Sequence, residues 1–439
     1  MKKTQKNLWE VRKAGLNIMM SLKGDGKPVS FIEDCAVPLQ HLAEYTDALT
    51  QVFHRHASKG TWYAHASVGT LHVRPILDMR RGGAMKMRAI AEEASELVRK
   101  YKGAYSGEHG DGLCRGEWIR WQFGAGVTQA FGQIKQMMDP LNLLCPQRII
   151  NPPKMDDTKL MRFPPSYKVV PIKTALDWSA WNVQNDPVTE KTTAPGTGGD
   201  PAQGFAKAVE MCNNNGHCRK FDAGTMCPSY RVTRDEKHLT RGRANTLRLA
   251  LSGQLAVVPS PQASPVLGRG RRSELPPLPS TGGRELPPLP PEEGWGEGAL
   301  EAVHEAMDLC VGCKGCKRDC PTGVDMAKMK VEFLHHYKAK HGYTLKDKLV
   351  AHLPGYAPWA SRFAPLLNLR DKVPGLARLS EKLLGLSAKR TLPKWKTRTF
   401  FNALPDRQPV KRFWSPKSPW CCLWTPSMVI LSQKTQFRH

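Results

Sequence analysis

The feature that most constrains this chain is a cysteine run that reads Cys-Val-Gly-Cys-Lys-Gly-Cys-Lys-Arg-Asp-Cys-Pro from Cys310 to Pro321. In the spacing C-x2-C-x2-C-x3-C-P, three thiolates wrap one face of a 4Fe-4S cube and the fourth leaves toward a second cluster. A zinc knuckle is the alternative, but zinc sites usually place paired C-x2-C units farther apart. The spacing therefore predicts an iron-sulfur domain.

A second half-motif lies upstream and reads Cys-Asn-Asn-Asn-Gly-His-Cys from Cys212 to Cys218, followed by Cys227 and a proline. If the half-motifs exchange their last cysteines, as in two-cluster ferredoxins, each cluster draws on both. One cluster then takes Cys310, Cys313, Cys316 and Cys227, and the other takes Cys212, Cys218 and Cys320. The second set is one thiolate short, because Asn215 stands where a cysteine is expected. His217 is a candidate fourth ligand, and the alternative is that it faces solvent from the loop.

The 439 residues are enough for two or three domains, and an apolar content of 40% supports ordinary cores. Seven of the twelve cysteines lie in the two motifs and the others are scattered, which is typical of a reducing compartment. We find no signal peptide and no apolar run of membrane-spanning length. These features predict a cytoplasmic protein, with peripheral contact at the inner membrane as a further hypothesis.

The net charge of +26 is concentrated near the end of the chain, where 22 Lys and Arg stand against 6 Asp and Glu after Pro321. No aromatic and basic platform or helix-turn-helix pattern accompanies these charges, so nucleic acid is not the expected partner. A surface facing anionic lipid or an acidic partner is one interpretation, and a solvated basic face is the other.

The first hundred residues alternate between short extended runs and amphipathic helices. Ser30–Val37 is predicted as a strand, a helix follows that ends at Gly60, and Thr61–Ser67 and Thr70–Arg74 are predicted as two β segments. Apolar residues from Met87 to Tyr101 then recur at helical spacing. We predict an α+β lobe with an antiparallel sheet, followed by an α-helical, ferredoxin-like domain with two clusters.

The chemistry of this first lobe is expected at two places. His65 and His72 lie on the two adjoining β segments, and Gly-Glu-His-Gly-Asp-Gly from Gly107 to Gly112 carries a carboxylate beside another imidazole. Two imidazoles and one carboxylate with an open position form a catalytic divalent-metal set, and a neighbouring His109 is a candidate general base. Each histidine alone is more often structural, and it is the glycine-rich setting that favours a site.

These motifs resemble a known family. Residues from Trp9 to Lys154 resemble the C-terminal lobe of FAD-linked oxidases of the glycolate oxidase and D-lactate dehydrogenase type, through Gly-Glu-His-Gly-Asp-Gly and through Asp-Pro-Leu-Asn-Leu-Leu from Asp139 to Leu144. Residues 212 to 342 resemble the iron-sulfur domain that is fused to this lobe in large bacterial flavoproteins of the D-2-hydroxyglutarate and D-lactate dehydrogenase kind.

The resemblance implies specific roles. His65, His72 and Glu108 would hold a divalent metal, zinc or manganese, which polarises the 2-hydroxyl group of a 2-hydroxy acid while His109 takes its proton. Arg12 would pair with the substrate carboxylate, a task that suits a bidentate guanidinium, although a surface helix charge is the alternative. FAD would accept the hydride, and single electrons would leave through the clusters to a quinone or an electron-transfer protein.

Family members hold FAD mainly in an N-terminal lobe, and no glycine-rich pyrophosphate loop precedes residue 60. We therefore expect FAD to be shared with a flavin-binding lobe or subunit. Two rival hypotheses are a non-enzymatic iron-sulfur subunit of a separate flavoprotein and a truncated, inactive gene product.

The predicted domain limits follow from these motifs and from changes in composition. The run Glu-Leu-Pro-Pro-Leu-Pro occurs twice between the cysteine motifs. We interpret it as an inserted repeat, and the alternative is a ligand for an SH3-like groove. Shifted codons for Cys421 to Gln436 can spell a family-like continuation, which suggests a frameshift.

The expected segments are the oxidase lobe (1–155), a linker (156–204), the first iron-sulfur half (205–258), the Pro-rich insertion (259–298), the second half (299–345), a basic helical extension (346–410) and an atypical, frameshifted tail (411–439).

Overall fold

The computed structural model describes residues 2–165, 167–184, 194–221, 224, 226–255 and 295–397. Residue contacts divide the chain into two units, Met1–His335 and His336–His439. Most of the predicted Pro-rich insertion and all of the predicted tail lie outside the described residues. The oxidase lobe and the cysteine motifs both belong to the first unit, and the limits predicted between them stay predictions.

An antiparallel sheet of four strands forms around β4, Thr70–Leu77, in which every residue is buried. β3, Gly60–His65, pairs along β4 from Gly60 opposite Pro75 to His65 opposite Thr70. Two shorter strands, β1 at Lys27–Pro28 and β2 at Cys35–Ala36, pair with its two ends. Polar and apolar residues alternate over Thr70–Arg74, so Leu71 and Val73 join the hydrophobic core while His72 and Arg74 lie on the opposite face of the sheet.

Two amphipathic helices cover the sheet. α2, Leu42–Arg55, buries Tyr45, Leu49, Val52 and Phe53, and α3, Gly83–Lys100, buries Ile90, Ala91, Ala94 and Val98. This spacing of three and four residues places one apolar stripe of each helix in a common core. The predicted α+β class and both predicted helices are confirmed.

The strand predicted over Ser30–Val37 is wrong for most of its length. Only Cys35–Ala36 is extended, because Asp34 has a φ of 83°, which breaks the extended backbone before them. Two further helices of this lobe are α1, Lys2–Met20, and α4, Ile119–Met138, which is interrupted at Gly124.

The cysteine motifs lie among six helices. α7 packs against α5 and α8. Arg243 of α7 donates hydrogen bonds to the carbonyl oxygen of Ala306 in α8 and to Oγ of Ser229 in α6, both at 2.8 Å. The helices are α5 (Phe205–Glu210), α6 (Pro228–Thr233), α7 (Thr240–Leu251), α8 (Glu297–Asp308), α9 (Gly315–Asp319) and α10 (Met326–His341).

Some described residues of the predicted linker make specific hydrogen bonds. The Glu332 carboxylate on α10 accepts hydrogen bonds from the backbone of Ala175 and Leu176 and from the indole of Trp178, which is 2% exposed. Asp200 is also buried and accepts from three backbone N–H groups. Composition alone could not predict these hydrogen bonds, because small and polar residues are typical of linkers.

The second unit carries the predicted helical extension. Its helices are α11 (Leu345–Ala351), α12 (Leu353–Arg362), α13 (Ala364–Leu367) and α14 (Leu376–Leu384). They enclose an apolar groove of about 920 Å³ lined mainly by leucines. Over the described part of the chain, every helix is too short or too polar to traverse a bilayer.

Candidate active site and cysteine cavities

The two predicted histidine ligands lie on paired strands of the sheet. Tyr63 of β3 stands opposite His72 of β4, so His65, two residues further along β3, is the diagonal neighbour of His72 on the same face. The two imidazole centroids are 5.0 Å apart. The hairpin therefore brings together two side chains that the sequence separates by a turn at Gly69.

Glu108 joins these histidines from the glycine-spaced loop. Its Oε1 lies 3.1 Å from Nε2 of His65 and 3.0 Å from Nε2 of His72. Donor atoms that bind one divalent ion at about 2.1 Å in an octahedron are about 3.0 Å apart along each edge. The two nitrogen–oxygen distances thus match the spacing of ligand atoms that share one octahedral metal ion.

Burial and the nearby His109 lower the pKa of His72, which keeps its imidazole in the neutral form that binds a metal. A second grouping is also close, in which donor atoms of Asp34, His72, Glu108 and His109 lie within 4.8 Å of one another. The oxygens of Asp34, however, already accept three hydrogen bonds, which favours His65 over Asp34 as a ligand.

These hydrogen bonds hold the glycine-spaced loop in place. Asp34 accepts from Oγ of Ser106 at 2.8 Å, from the backbone N–H of Glu108 at 3.0 Å and from that of His109 at 2.7 Å. Burial opposes ionisation of Asp34, but the donors outweigh it and the pKa of this carboxyl lies below its ordinary value. The loop conformation also uses Gly110, whose φ of 75° favours glycine.

His109 lies against this cluster. Its ring stacks on that of His72 with centroids 4.8 Å apart, and its Nε2 is 3.7 Å from Oε1 of Glu108. Its Nδ1 is 3.6 Å from Oε1 of Glu33, a carboxylate that also pairs with Arg74. One nitrogen therefore faces an orienting carboxylate and the other faces the candidate site.

Glu33 and Asp34 contact the loop of the candidate site, and sequence reasoning did not single them out. The available signal was two adjacent carboxylates inside the otherwise apolar run predicted as a strand. Because unpaired carboxylates are rarely buried, such a pair indicates a specific set of hydrogen-bond donors.

Arg12 also reaches the site. From α1, its Nη2 approaches Nδ1 of His65 at 3.4 Å, and the side chain is exposed. An exposed guanidinium beside a candidate metal site is placed to meet the carboxylate of a small acid.

The cysteines line two neighbouring cavities, and each cavity has the cysteines that the sequence predicts for one cluster. The first cavity is lined by Cys227, Cys310, Cys313 and Cys316. The backbone N–H of Thr240, at the start of α7, donates to Sγ of Cys227 at 2.9 Å. Burial raises the pKa of the Cys316 thiol to about 11, and backbone N–H groups of Met326 and Ala327 at the start of α10 oppose that rise.

The second cavity is lined by Cys212, Cys218 and Cys320 together with Asn215. Burial raises the pKa of the Cys218 thiol to about 11, opposed by the backbone N–H of Arg241 in α7. His217 is not among the described residues that line this cavity. Four thiols in one cavity match the ligand set of a 4Fe-4S cluster, and three in the other match all but one of its ligands.

Comparison with known proteins matches the two parts of the chain to two families. Residues 1–149 match FAD linked oxidases, C-terminal domain, and residues 208–324 match the 4Fe-4S dicluster domain.

Among curated proteins, the D-2-hydroxyglutarate dehydrogenase of Escherichia coli strain K12 is 31% identical over 386 residues, which are 86% of this chain and 35% of the relative. That of Pseudomonas putida is 28% identical over 375 residues, 82% of this chain and 33% of the relative. The mitochondrial D-lactate dehydrogenase [cytochrome] of Arabidopsis thaliana is 26% identical over 152 residues, 34% of this chain and 26% of the relative. The chain thus spans about a third of the D-2-hydroxyglutarate dehydrogenases it matches.

Proposed function

We propose that this chain, which carries a C-terminal domain of the FAD-linked oxidase family and a 4Fe-4S dicluster domain, is part of an oxidoreductase that oxidises a D-2-hydroxy acid. Candidate substrates are acids of the lactate, glycolate or 2-hydroxyglutarate type. The observation that carries this proposal is the convergence of His65 and His72 on one oxygen of Glu108, with His109 stacked alongside.

In this proposal, His65, His72 and Glu108 hold a zinc or manganese ion, which would lower the pKa of a hydroxyl group bound to it. Nε2 of His109 would take the proton of the substrate 2-hydroxyl, while Glu33 holds the opposite nitrogen. Arg12, exposed beside His65, would bind the substrate carboxylate. The residues thus divide into metal ligands, a general base and a substrate anchor.

When bound, FAD supplies hydride-accepting chemistry and iron-sulfur clusters supply one-electron chemistry. Cys227, Cys310, Cys313 and Cys316 would hold one cluster, and Cys212, Cys218 and Cys320 the other. The N–H groups at the starts of α7 and α10 would stabilise the anionic thiolates at both sites.

In this proposal, α4 offers a contact surface for the lobe or subunit that would bind FAD. On α4, after the interruption at Gly124, Val127, Ile134 and Met138 follow one another at intervals of seven and four residues, and their exposed fractions range from 45% to 74%. An exposed apolar stripe of this kind favours a protein partner. We expect a flavin-binding lobe or subunit to cover it, since this chain corresponds to only about a third of its relatives.

The test is a reconstitution of the full chain. After anaerobic cluster assembly, the protein is assayed for dye reduction with D-2-hydroxyglutarate, D-lactate and glycolate. The assay is run with and without a flavin-binding lobe taken from the E. coli relative. We expect turnover of a D-2-hydroxy acid only in the assembled pair, and its loss in His109→Ala with unchanged cluster spectra.

Failure of every 2-hydroxy acid in an assembled, flavin-loaded pair would contradict the proposal. Cluster reduction by a separate flavoprotein, without turnover that depends on His109, would instead support the rival electron-transfer subunit. A chain that binds no iron after reconstitution would support the inactive gene product.

Contact with a membrane surface is a further part of the proposal, carried by the second unit. Leu379 and Leu383 of α14 are 50% and 63% exposed, and the chain around them is rich in Lys and Arg. Apolar and basic residues together favour an anionic bilayer surface, where a quinone would be available as electron acceptor. Sedimentation with anionic but not neutral vesicles, weakened in Leu379→Asp/Leu383→Asp, is the expected result.

A further inference from the structure

The two cysteine cavities of the first unit differ in one respect that matters for iron chemistry. The first presents four thiols, from Cys227, Cys310, Cys313 and Cys316. The second presents three among the described residues that line it, from Cys212, Cys218 and Cys320. A 4Fe-4S cluster has four irons, each of which ordinarily takes one protein ligand. The second cavity therefore leaves one iron without a thiolate.

Asn215 occupies the place of the missing cysteine, but its side chain is engaged within its own loop. Its Oδ1 accepts the backbone N–H of His217 at 2.8 Å, and its Nδ2 donates to Oδ1 of Asn213 at 2.7 Å. Both ends of the amide are used, so ligation of iron by Asn215 would break the turn that positions Cys218.

The neighbouring Asn214 is committed in a similar way. Its Oδ1 accepts from Nδ2 of Asn245 at 2.7 Å and lies 3.8 Å from Sγ of Cys212. The Asn214 amide is thus held by α7 beside the Cys212 thiol and does not take the place of a fourth cluster ligand. An amide oxygen is also a weaker partner for iron than a thiolate, because soft ligands suit iron-sulfur clusters.

We propose that Cys212, Cys218 and Cys320 hold their cluster through three thiolates only, so that one iron takes its remaining ligand from solution and is exchangeable. This inference rests on the cluster-binding part of the proposed function, but not on the hydroxy-acid chemistry. The ligand class is a hydroxide or a small thiol, which can enter because Asn215 and Gly216 at the cavity edge belong to an exposed loop.

An exchangeable iron gives a defined reaction with a one-electron oxidant such as ferricyanide. The 4Fe-4S cluster of charge 2+ gives one electron to the oxidant and releases one Fe²⁺, which leaves a 3Fe-4S cluster of charge 1+. The three cysteine sulfur–iron bonds remain, and only the bonds of the released iron to cluster sulfide and to its solution ligand are broken. Added Fe²⁺ and a reductant reverse the step.

The test uses the full chain after anaerobic reconstitution. Ferricyanide should lower the iron content from about eight to about seven atoms per chain and produce the electron paramagnetic resonance signal of an oxidised 3Fe-4S cluster. That signal should disappear in Cys320→Ser, which loses a ligand of the second cavity. It should persist in Cys313→Ser/Cys316→Ser, which leaves the first cavity too few thiolates to hold a cluster. Neither readout requires flavin, substrate or turnover.

A second variant supplies the missing thiolate. Asn215→Cys should retain about eight irons after the same oxidation and lose the 3Fe-4S signal, because the fourth iron then has a protein ligand. Asn215→Ser is the matched control, since it breaks the same amide hydrogen bonds without adding a thiol and should behave like the parent chain.

Retention of all irons in the parent chain, or a 3Fe-4S signal that survives Cys320→Ser, would overturn the inference. A chain that assembles no cluster at all would contradict the proposed function as well, which distinguishes the two failures.

Discussion

The carboxylate of Asp34 accepts the backbone N–H of His109 at 2.7 Å, although 74 residues of chain separate them. This hydrogen bond fixes the loop that carries both Glu108 and His109 against the sheet that carries His65 and His72. The candidate active site therefore depends on a residue that contacts no substrate in our proposal.

We expect Asp34→Asn to disturb this loop. The amide of the new asparagine side chain would place its own N–H donors next to the backbone N–H groups that now donate to the Asp34 carboxylate. Loss of each hydrogen bond to a charged group costs about 1–3 kcal/mol. Urea unfolding should show a loss of about 2 kcal/mol, and turnover of the assembled enzyme should fall at least tenfold. Asp111→Asn is the control, since Oδ1 of this loop carboxylate has no hydrogen-bond partner among the described residues. Equal effects from both variants would contradict this role.

Metal analysis should separate the two candidate ligand sets. If His65, His72 and Glu108 bind the metal, His65→Ala should lower its affinity severalfold or more, because one of three ligands is lost. His109→Ala should keep the metal and abolish turnover. The measurement is metal stoichiometry after dialysis against a weak chelator. Loss of metal in His109→Ala with retention in His65→Ala would instead favour the grouping with Asp34.

Arg12 should act on substrate binding. A lysine keeps the charge but loses the planar pair of donors that matches a carboxylate, so Arg12→Lys should raise KM about tenfold with a smaller change in kcat. Lys6→Ala, an exposed charge on the same helix, is the control and should leave KM unchanged. An unaltered KM in Arg12→Lys would assign Arg12 to the surface instead.

Lys27 should make stability rise with pH. Burial, together with the nearby Arg80 and Arg162, lowers the pKa of Lys27 from 10.5 to about 7. Above pH 7 the folded chain has lost this proton while the unfolded chain still binds it, so raising the pH stabilises the folded state until about pH 10. Between pH 7 and pH 9 the gain should be about 1–2 kcal/mol.

The variant Lys27→Met removes the titrating group while keeping an unbranched side chain of similar length. Urea midpoints at pH 7 and pH 9 should therefore differ less in Lys27→Met than in the parent chain. An identical difference in both proteins would show that Lys27 is charged at both pH values, contrary to this expectation.

Sequence reasoning was most successful where chemistry dictates spacing. By analogy with two-cluster ferredoxins, the spacing predicts an exchange of Cys227 and Cys320 between the half-motifs. Cys227 lines the cavity of the second half-motif and Cys320 that of the first, while cluster ligation stays a prediction. Amphipathic periodicity located α2 and α3. The carboxylate pair of Glu33 and Asp34 signals that hydrogen-bond donors are needed, but nothing near Asp34 in the sequence identifies the 106–109 loop as their source. For the same reason the hydrogen bond from Trp178 to Glu332 of α10 could not be predicted, because the segment around Trp178 reads as a linker.

Thr240 lines both cysteine cavities, so the two expected clusters would be neighbours that share this residue. At such proximity an electron placed on one cluster repels the arrival of a second on its neighbour. The two midpoint potentials therefore cannot be set independently. The two clusters should be reduced in two steps at different potentials. A substitution at position 240 should shift both potentials.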